Sequence, residues 1–139
     1  MKEENNMREI KGLYLNLPVS KLEASIDFFK KIGFLLVEDY TNDQGACFSL
    51  GNGNYLMLLV NEFFNSFTDK EIIDRKLSTE AILSMEVERE DEVDAIVELA
   101  LANGASQFRD FEEDDFMYVR NFQDLDGHLW EVFSIKKEE

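Results

Sequence analysis

The chain has 139 residues, of which 45% are hydrophobic and 12% aromatic, enough for one compact core. Its formal net charge of −16 argues against nucleic acid or an anionic membrane as a partner. No segment has the length and hydrophobicity of a membrane helix or a secretory signal, so we expect a cytoplasmic protein. The only cysteine, Cys47, lies between Ala46 and Phe48 and is predicted to be a buried strand thiol rather than a nucleophile.

The first half of the chain predicts one βαβββ module over residues 11–60. Apolar residues alternate from Leu13 to Val19, which indicates a strand. Ser20 and Glu23 form a capping-box pattern for the following helix, and Gly33 is placed to end it. Strands are then predicted at residues 34–37, 46–50 and 55–60, with Gly51-Asn52-Gly53-Asn54 as the turn of the last hairpin.

The second half predicts the same order of elements over residues 81–135. A strand at 82–87 precedes a helix at 91–102, which Gly104 ends, and strands follow around 106–109, 116–121 and 128–135. Counting Val19 against Val87 and Leu58 against Glu131 keeps the halves in register, which indicates a duplicated module. The predicted fold is α+β, within a single domain: two βαβββ modules form an open, curled mixed β-sheet cavity with the helices packed outside.

Residues 61–80 connect the two modules and are too apolar for a bare linker. Phe63, Phe64 and Phe67 precede a second capping-box pattern, Thr68 to Glu71, which predicts the start of a short helix ahead of Ile72, Ile73 and Leu77. A helix packed on the core is the favoured interpretation. A lid over a pocket or a dimer contact is the alternative.

Two motifs carry a resemblance to a known family. The first runs from Asn16-Leu17-Pro18-Val19 through Phe28-Phe29 to Ile32-Gly33-Phe34, and the second is Asp124-Leu125-Asp126-Gly127-His128-Leu129-Trp130-Glu131-Val132. Together they resemble the glyoxalase I / bleomycin resistance / extradiol dioxygenase (vicinal oxygen chelate) superfamily, most closely its bacterial branch labelled predicted lactoylglutathione lyase. The resemblance implies paired βαβββ modules around a cavity, usually in a homodimer, and in the enzymes a divalent metal held by four side chains.

The four metal-ligand positions implied by the resemblance fall on Tyr14, Leu58, Ile82 (or its neighbour Leu83) and Glu131. Only Glu131 is a usual ligand, whereas a tight catalytic site needs at least three from the protein. His128, the only histidine, is predicted by strand alternation to face away from Glu131 and to be structural. We therefore expect no cofactor, although a divalent metal with an atypical shell stays an alternative.

A cavity without a metal suits a small organic molecule held by shape and by a few polar groups. In the favoured interpretation the protein binds such a ligand, and Glu131, paired with Arg120, orients a cationic or hydrogen-bond-donating group. The alternatives are a lyase, isomerase or dioxygenase-type enzyme that uses Glu131 as acid/base or in an atypical metal shell, an interaction role for the dimer or the 63–67 segment, and a Glu131 that is merely a satisfied buried acid. The predicted ligand-binding residues are Tyr14, Asn16, Leu56, Leu58, Ile82, Ser84, Arg120, Glu131 and Phe133.

Overall fold

The computed structural model describes residues 6–110 and 112–136, which form two four-stranded mixed sheets with three α-helices. In the first half, strand β1 (Leu13–Val19) precedes helix α1 (Leu22–Lys31), and strands β2 (Leu35–Leu36), β3 (Gly45–Gly51) and β4 (Asn54–Val60) follow. The strand order is β1-β4-β3-β2, with β1 parallel to β4 and the other neighbours antiparallel. The edge strand β1 thus lies beside the last strand of its own half.

The second half repeats this arrangement. Strand β5 (Ile82–Glu86) precedes helix α3 (Glu90–Ala102), and strands β6 (Glu112–Glu113), β7 (Met117–Gln123) and β8 (Leu129–Ile135) follow in the order β5-β8-β7-β6. Strand β5 is parallel to β8, as β1 is to β4. The predicted α+β fold with open mixed sheets is confirmed. In the described parts of the chain, no helix combines the length and hydrophobicity that a bilayer crossing requires.

Four predicted local features differ from the structure. The 106–109 segment makes only an isolated bridge between Ser106 and Gln123, and the outer strand is β6 instead. In the connecting segment the helix is α2 (Asn61–Asn65), at its beginning, and the helix predicted to start at residues 68–71 does not form, since residues 68–80 are not helical. Lys21 is the N-cap of α1 and no side chain caps it, so the Ser20–Glu23 capping box does not form. The 34–37 strand is shortened to β2.

One hydrophobic core joins the two sheets. Helix α1 packs on the first sheet through Phe28 and Phe29, both 2% exposed, and these rings also reach Trp130 and Phe122 of the second sheet. Phe122 and Trp130 are themselves stacked, with ring centroids 6.0 Å apart. Because the helix-packed faces of both sheets point into this core, each sheet presents its other side, which we call its open face, away from it.

The turn before β8 holds the two halves together. Asp126 accepts hydrogen bonds from the backbone N–H and the hydroxyl of Ser20, at 2.9 and 2.6 Å, and from the hydroxyl of Ser25 at 3.3 Å. His128 Nε2 donates to the carbonyl of Pro18 at 2.8 Å, since that oxygen can only accept. The structural role predicted for His128 is therefore a link between modules, and the Ser20 hydroxyl predicted to cap α1 is used in the same junction.

Asp124 supports that turn from inside. Its carboxylate accepts from the indole N–H of Trp130 at 2.9 Å and from the backbone N–H groups of Asp126 and His128, both at 3.0 Å. Burial raises the pKa of Asp124, although the proximity of His128 and these three donors favour its charged form. The Asp-Leu-Asp-Gly sequence is thus both a turn and a buried polar anchor.

Candidate functional site

A cavity of about 420 Å³ lies on the open face of the second sheet, with Glu131 on its floor. We call it the Glu131 cavity. Strand register places Ser84 of β5 and Asn121 of β7 on either side of Glu131, so the three polar side chains form a row across the sheet. Its apolar floor comes from Met117, Val119 and Phe133, and its rim from Arg109, Asp110 and Asp114. Every described residue that lines the cavity belongs to the second module.

Glu131 is half-buried, and Ser84 Oγ donates to its Oε1 at 3.1 Å. A carboxylate has about four acceptor positions, so a single hydroxyl leaves most of its capacity for donors from a bound molecule. Neighbouring side chains that are apolar reinforce any such bond, because they exclude water around it. The arrangement can therefore orient a ligand through a donated hydrogen bond or a positive charge.

Asn121 shapes the rim of the cavity. Its Oδ1 accepts from the backbone N–H groups of Phe108 at 2.9 Å and Arg109 at 3.3 Å, and its Nδ2 donates to the Arg109 carbonyl at 3.2 Å. The side chain is 5% exposed, so these bonds satisfy a buried amide. Asn121 is thus a positioning residue that holds the 108–109 backbone beside Glu131.

Asp114 stays ionised at the rim. The backbone N–H groups of Met117 and Phe116 donate to its carboxylate at 2.8 and 2.7 Å, and these bonds lower its pKa. With Asp110 and Glu131, the described lining residues carry three carboxylates against the one guanidinium of Arg109. The charge of the cavity therefore favours a cation or a hydrogen-bond donor over an anion.

Tyr14 and Asn16, which the sequence placed beside Glu131, belong to the other sheet. Tyr14 is 57% exposed and stacks on Tyr55, with ring centroids 4.5 Å apart. The Asn16 side chain donates to the carbonyl of Tyr14 at 3.3 Å. Neither residue lines the Glu131 cavity, so the structure does not bring the two halves of the predicted site together within one chain.

Leu56 and Leu58 face the opposite way from the prediction. They pair with Leu15 and Leu17 of β1 and are 1% and 0% exposed within the core under α1. The open face of β4 carries Tyr55 and Met57 instead. Segment 56–60 is entirely hydrophobic, so it lacks the alternation that would have assigned its faces.

Arg120 is also on the helix side of its sheet, and the predicted pair with Glu131 is wrong. Its guanidinium bonds to Asp94 at 3.1 Å and Glu98 at 2.8 Å, both on α3. Burial lowers the pKa of Arg120, but the hydrogen bonds to Glu98 and Asp94 outweigh that effect and raise it above its ordinary value. Tyr118 donates to Asp94 on the same face at 2.6 Å, which together with burial raises its pKa to about 12.

Of the remaining predicted residues, Ser84, Glu131 and Phe133 do line the Glu131 cavity. Ile82 is 50% exposed and does not line it. Cys47 is 2% exposed within β3, where burial raises its pKa, so the prediction of a buried thiol is confirmed. Asn121 was not among the predicted site residues, although counting outwards from the Asp-Gly turn puts residue 121 opposite 131.

The repeat identifies the first-module counterpart of Glu131. With Val19 aligned on Val87, Asn16 is equivalent to Ser84, since each lies three residues before its valine. Ser84 pairs with Glu131 across the second sheet, and Asn16 pairs with Met57 across the first. The counterpart is therefore Met57, and the predicted match to Leu58 is wrong by one residue. The equivalent open-face positions then hold a phenol (Tyr14), a thioether (Met57), a hydrocarbon (Ile82) and one carboxylate.

This donor set does not fit a catalytic metal site. Divalent metals of this kind need several imidazole, carboxylate or thiolate ligands converging on one point, and Glu131 supplies one. Among the residues that the structure describes, no three His, Cys, Asp or Glu side chains converge in a way that could hold a metal ion. We derive no chemical step through a metal for this chain.

The paired βαβββ modules and the open-face cavity define the class of the protein, and comparisons with known proteins agree. The model of the Glyoxalase/Bleomycin resistance protein/Dioxygenase superfamily matches residues 13–132. The chain belongs to this superfamily. No curated protein sequence gives a significant match.

Solved structures of low sequence identity share the fold. The hypothetical protein SA1046 from S. aureus is 24% identical, with a TM-score of 0.78 over 91% of this chain and 95% of that one. A glyoxalase-related enzyme from Fulvimarina pelagi is 21% identical, with a TM-score of 0.76 over 92% and 88%. A glyoxalase/bleomycin resistance protein/dioxygenase family enzyme from Burkholderia phytofirmans PsJN is 16% identical, with a TM-score of 0.75 over 88% and 97%. At these identities the likeness establishes the fold alone.

Proposed function

We propose that this protein binds a small organic molecule in the Glu131 cavity without a metal at the positions typical of the superfamily. The observation that carries the proposal is the row Ser84, Glu131 and Asn121 on a floor of apolar side chains. Among the described residues, no three His, Cys, Asp or Glu side chains are arranged to hold a metal ion. A cavity of about 420 Å³ is in the size range of small-molecule sites. Glu131 orients the ligand, and the apolar floor supplies most of the contact area.

The ligand class follows from the charges around the cavity. Three carboxylates against one guanidinium favour a compact molecule with a positive charge or a hydrogen-bond donor next to its apolar part. The net charge of −16 would draw a cation toward the protein and repel an anion. We expect the protein to act in the cytoplasm as a homodimer, with no nucleic acid or membrane partner, and to bind its ligand there.

The test is a thermal-shift and calorimetric screen of protein treated with a chelator, against planar aromatic compounds that are cationic, neutral or anionic. We expect cationic or donor-bearing compounds to bind and their anionic analogues to fail. Glu131→Gln, which keeps shape and removes charge, should weaken the best compound about tenfold, in line with the loss of one charged hydrogen bond. Glu23→Gln on the exposed first turn of α1 is the matched control and should bind normally.

The location of binding is read from the ε-methyl NMR signal of Met117, which lies in the cavity. A bound compound should shift this signal in the wild type, and Glu131→Gln should need about ten times more compound for the same shift. If no compound of any charge shifts the signal, or if binding needs an added metal, the proposal is wrong.

A further inference from the structure

The connection between the modules forms a second cavity, separate from the Glu131 cavity. After α2 the chain runs from residue 66 to 81 without helix or strand before it enters β5, and we call this segment the strap. The Arg75 Nε donates to the carbonyl of Asp126 at 2.6 Å, and its Nη2 lies 3.7 Å from Asp126 Oδ1. The strap is therefore fixed near its middle to the turn that joins the two halves.

The backbones of the strap and the turn are in close contact. Gly127 has φ of +89°, and a Cβ added there would lie 3.0 Å from the Cβ of Arg75 and 3.3 Å from its carbonyl oxygen. Only glycine suits both that conformation and that spacing. The strap is therefore fixed in place, by the hydrogen bond and ion pair of the Arg75 side chain and by packing of its backbone against Gly127.

Between the strap and β1 lies a groove of about 590 Å³, which shares no lining residue with the Glu131 cavity. Its walls are mostly apolar, with Leu17 and Pro18 from β1 facing Phe64, Ile72 and Ile73. It follows β1 from residue 15 to 18, a path of roughly 10 Å at the rise of an extended strand. The strap groove therefore suits an elongated hydrocarbon group of modest size.

The charges lining the strap groove are unequal. Arg75 is paired with Asp126, and the His128 ring already donates to Pro18. Glu71 and Glu80 form no ion pair with any residue in the described ranges, and Lys70 is the one lining cation there without such a pair. Two carboxylates therefore act on the groove against one ammonium, within a chain whose net charge is −16.

We propose that the strap groove is a second binding site, for an organic cation with a short linear or single-ring hydrocarbon body. The hydrocarbon lies between the strap and β1, where it contacts Phe64, Ile72 and Ile73, and the positive head is held by Glu71 and Glu80. The site is independent of the proposed function, because no described residue lines both cavities.

The experiment compares two probes with the same tail and opposite heads, octyltrimethylammonium and octane-1-sulfonate, both far below their micellar concentrations. Affinity is measured by calorimetry on the full chain. Location is measured from methyl NMR signals of Ile72 and Ile73 for the groove and of Met117 for the Glu131 cavity, assigned with Ile→Val and Met→Leu variants. Two double variants carry the same charge change: Glu71→Gln with Glu80→Gln in the groove, and Glu23→Gln with Glu38→Gln on exposed surface elsewhere.

We expect the ammonium probe to shift the Ile72 and Ile73 signals and to bind more tightly than the sulfonate. The groove variant should weaken it about fivefold, the size of two partly exposed charge interactions, while the surface variant changes it little. Glu131→Gln should leave groove binding unchanged. The proposal is overturned if the sulfonate binds as tightly, if the two double variants behave alike, or if the ammonium probe shifts Met117 alone or neither set of methyl signals.

Discussion

Asp126 and Glu131 are five residues apart in the same hairpin, and their surroundings differ sharply. The Asp126 side chain is 6% exposed and its oxygens accept from Ser20 and Ser25 of the first module and lie near Arg75 of the strap. Glu131 is half-buried, accepts one hydrogen bond from the hydroxyl of Ser84, and faces a cavity. Within one motif, the carboxylate whose acceptor positions are occupied holds the modules together, whereas the one with open acceptor positions is available to a ligand.

The largest expected effect is on stability, from Asp126→Ala. The change leaves Ser20 and Ser25 without their acceptor and Arg75 without its counter-ion, so the free energy of unfolding should fall by about 3 kcal/mol. Urea unfolding followed by circular dichroism measures it. The control is Asp27→Asn, which removes the exposed pair with Lys31 and should cost less than about 0.5 kcal/mol. Equal losses for the two variants would contradict the anchoring role of Asp126.

The opposite pattern is expected for Glu131→Gln. Because the amide still accepts from Ser84, the free energy of unfolding should change by less than about 1 kcal/mol, while affinity for a cationic or donor-bearing ligand falls about tenfold. The same urea titration, paired with calorimetry, separates the two quantities. A stability loss as large as that of Asp126→Ala would show that Glu131 is a structural acid.

A smaller, pH-dependent effect distinguishes Asp124. Burial raises the pKa of Asp124 in the folded protein above its value in the unfolded chain. Protonated Asp124 therefore favours folding. This contribution to the free energy of unfolding is fully present below about pH 4, the ordinary pKa of Asp, and is lost as the pH rises through the folded pKa. The stability of the wild type relative to Asp124→Asn should therefore decline over that window. Unfolding free energies of both proteins from pH 3.5 to 7, at about half-unit steps, measure this difference. If the wild type instead gained stability over Asp124→Asn as the pH rose, the pKa of Asp124 would be lowered by folding, not raised.

The smallest expected effect is catalytic. With one carboxylate among the four family ligand positions, the protein should not isomerise the methylglyoxal–glutathione hemithioacetal above background, with or without added zinc or nickel. The thioester product is followed by its ultraviolet absorbance. Turnover that depends on the metal and disappears in Glu131→Gln would contradict the proposed metal-free site.

The fold was predictable because both copies of the repeat contain strong local sequence patterns. Alternation in residues 13–19 and glycines after both long helices, Gly33 and Gly104, define the modules, and both glycines adopt positive φ in the structure. The bounds of β2 and the position of β6 were not predictable in the same way. Strands β2 and β6 are two residues long, too short to show a period.

Part of the candidate site was predictable, depending on whether the alternation of a strand shows which side chains share a face. Ser84, Glu131 and Phe133 lie in the cavity as predicted, because β5 and β8 retain recognisable alternation around them, and their ligand-binding role stays a prediction. Leu56 and Leu58 were misplaced because their strand is uniformly hydrophobic, and a slip of one residue exchanges the two faces. Arg120 was misplaced because its partners, Asp94 and Glu98, come from a helix whose contact with β7 is set only by tertiary packing.

The central claim is tested most directly by a crystal structure of the chelator-treated protein with the best compound of the ligand screen. We expect a cationic or donor group of the compound at roughly 2.7–3.2 Å from a Glu131 oxygen, with no ion between the compound and Glu131. The apolar part of the compound should contact Met117, Val119 and Phe133. A compound bound through a metal on Glu131, or bound elsewhere with the Glu131 cavity unchanged, would contradict it.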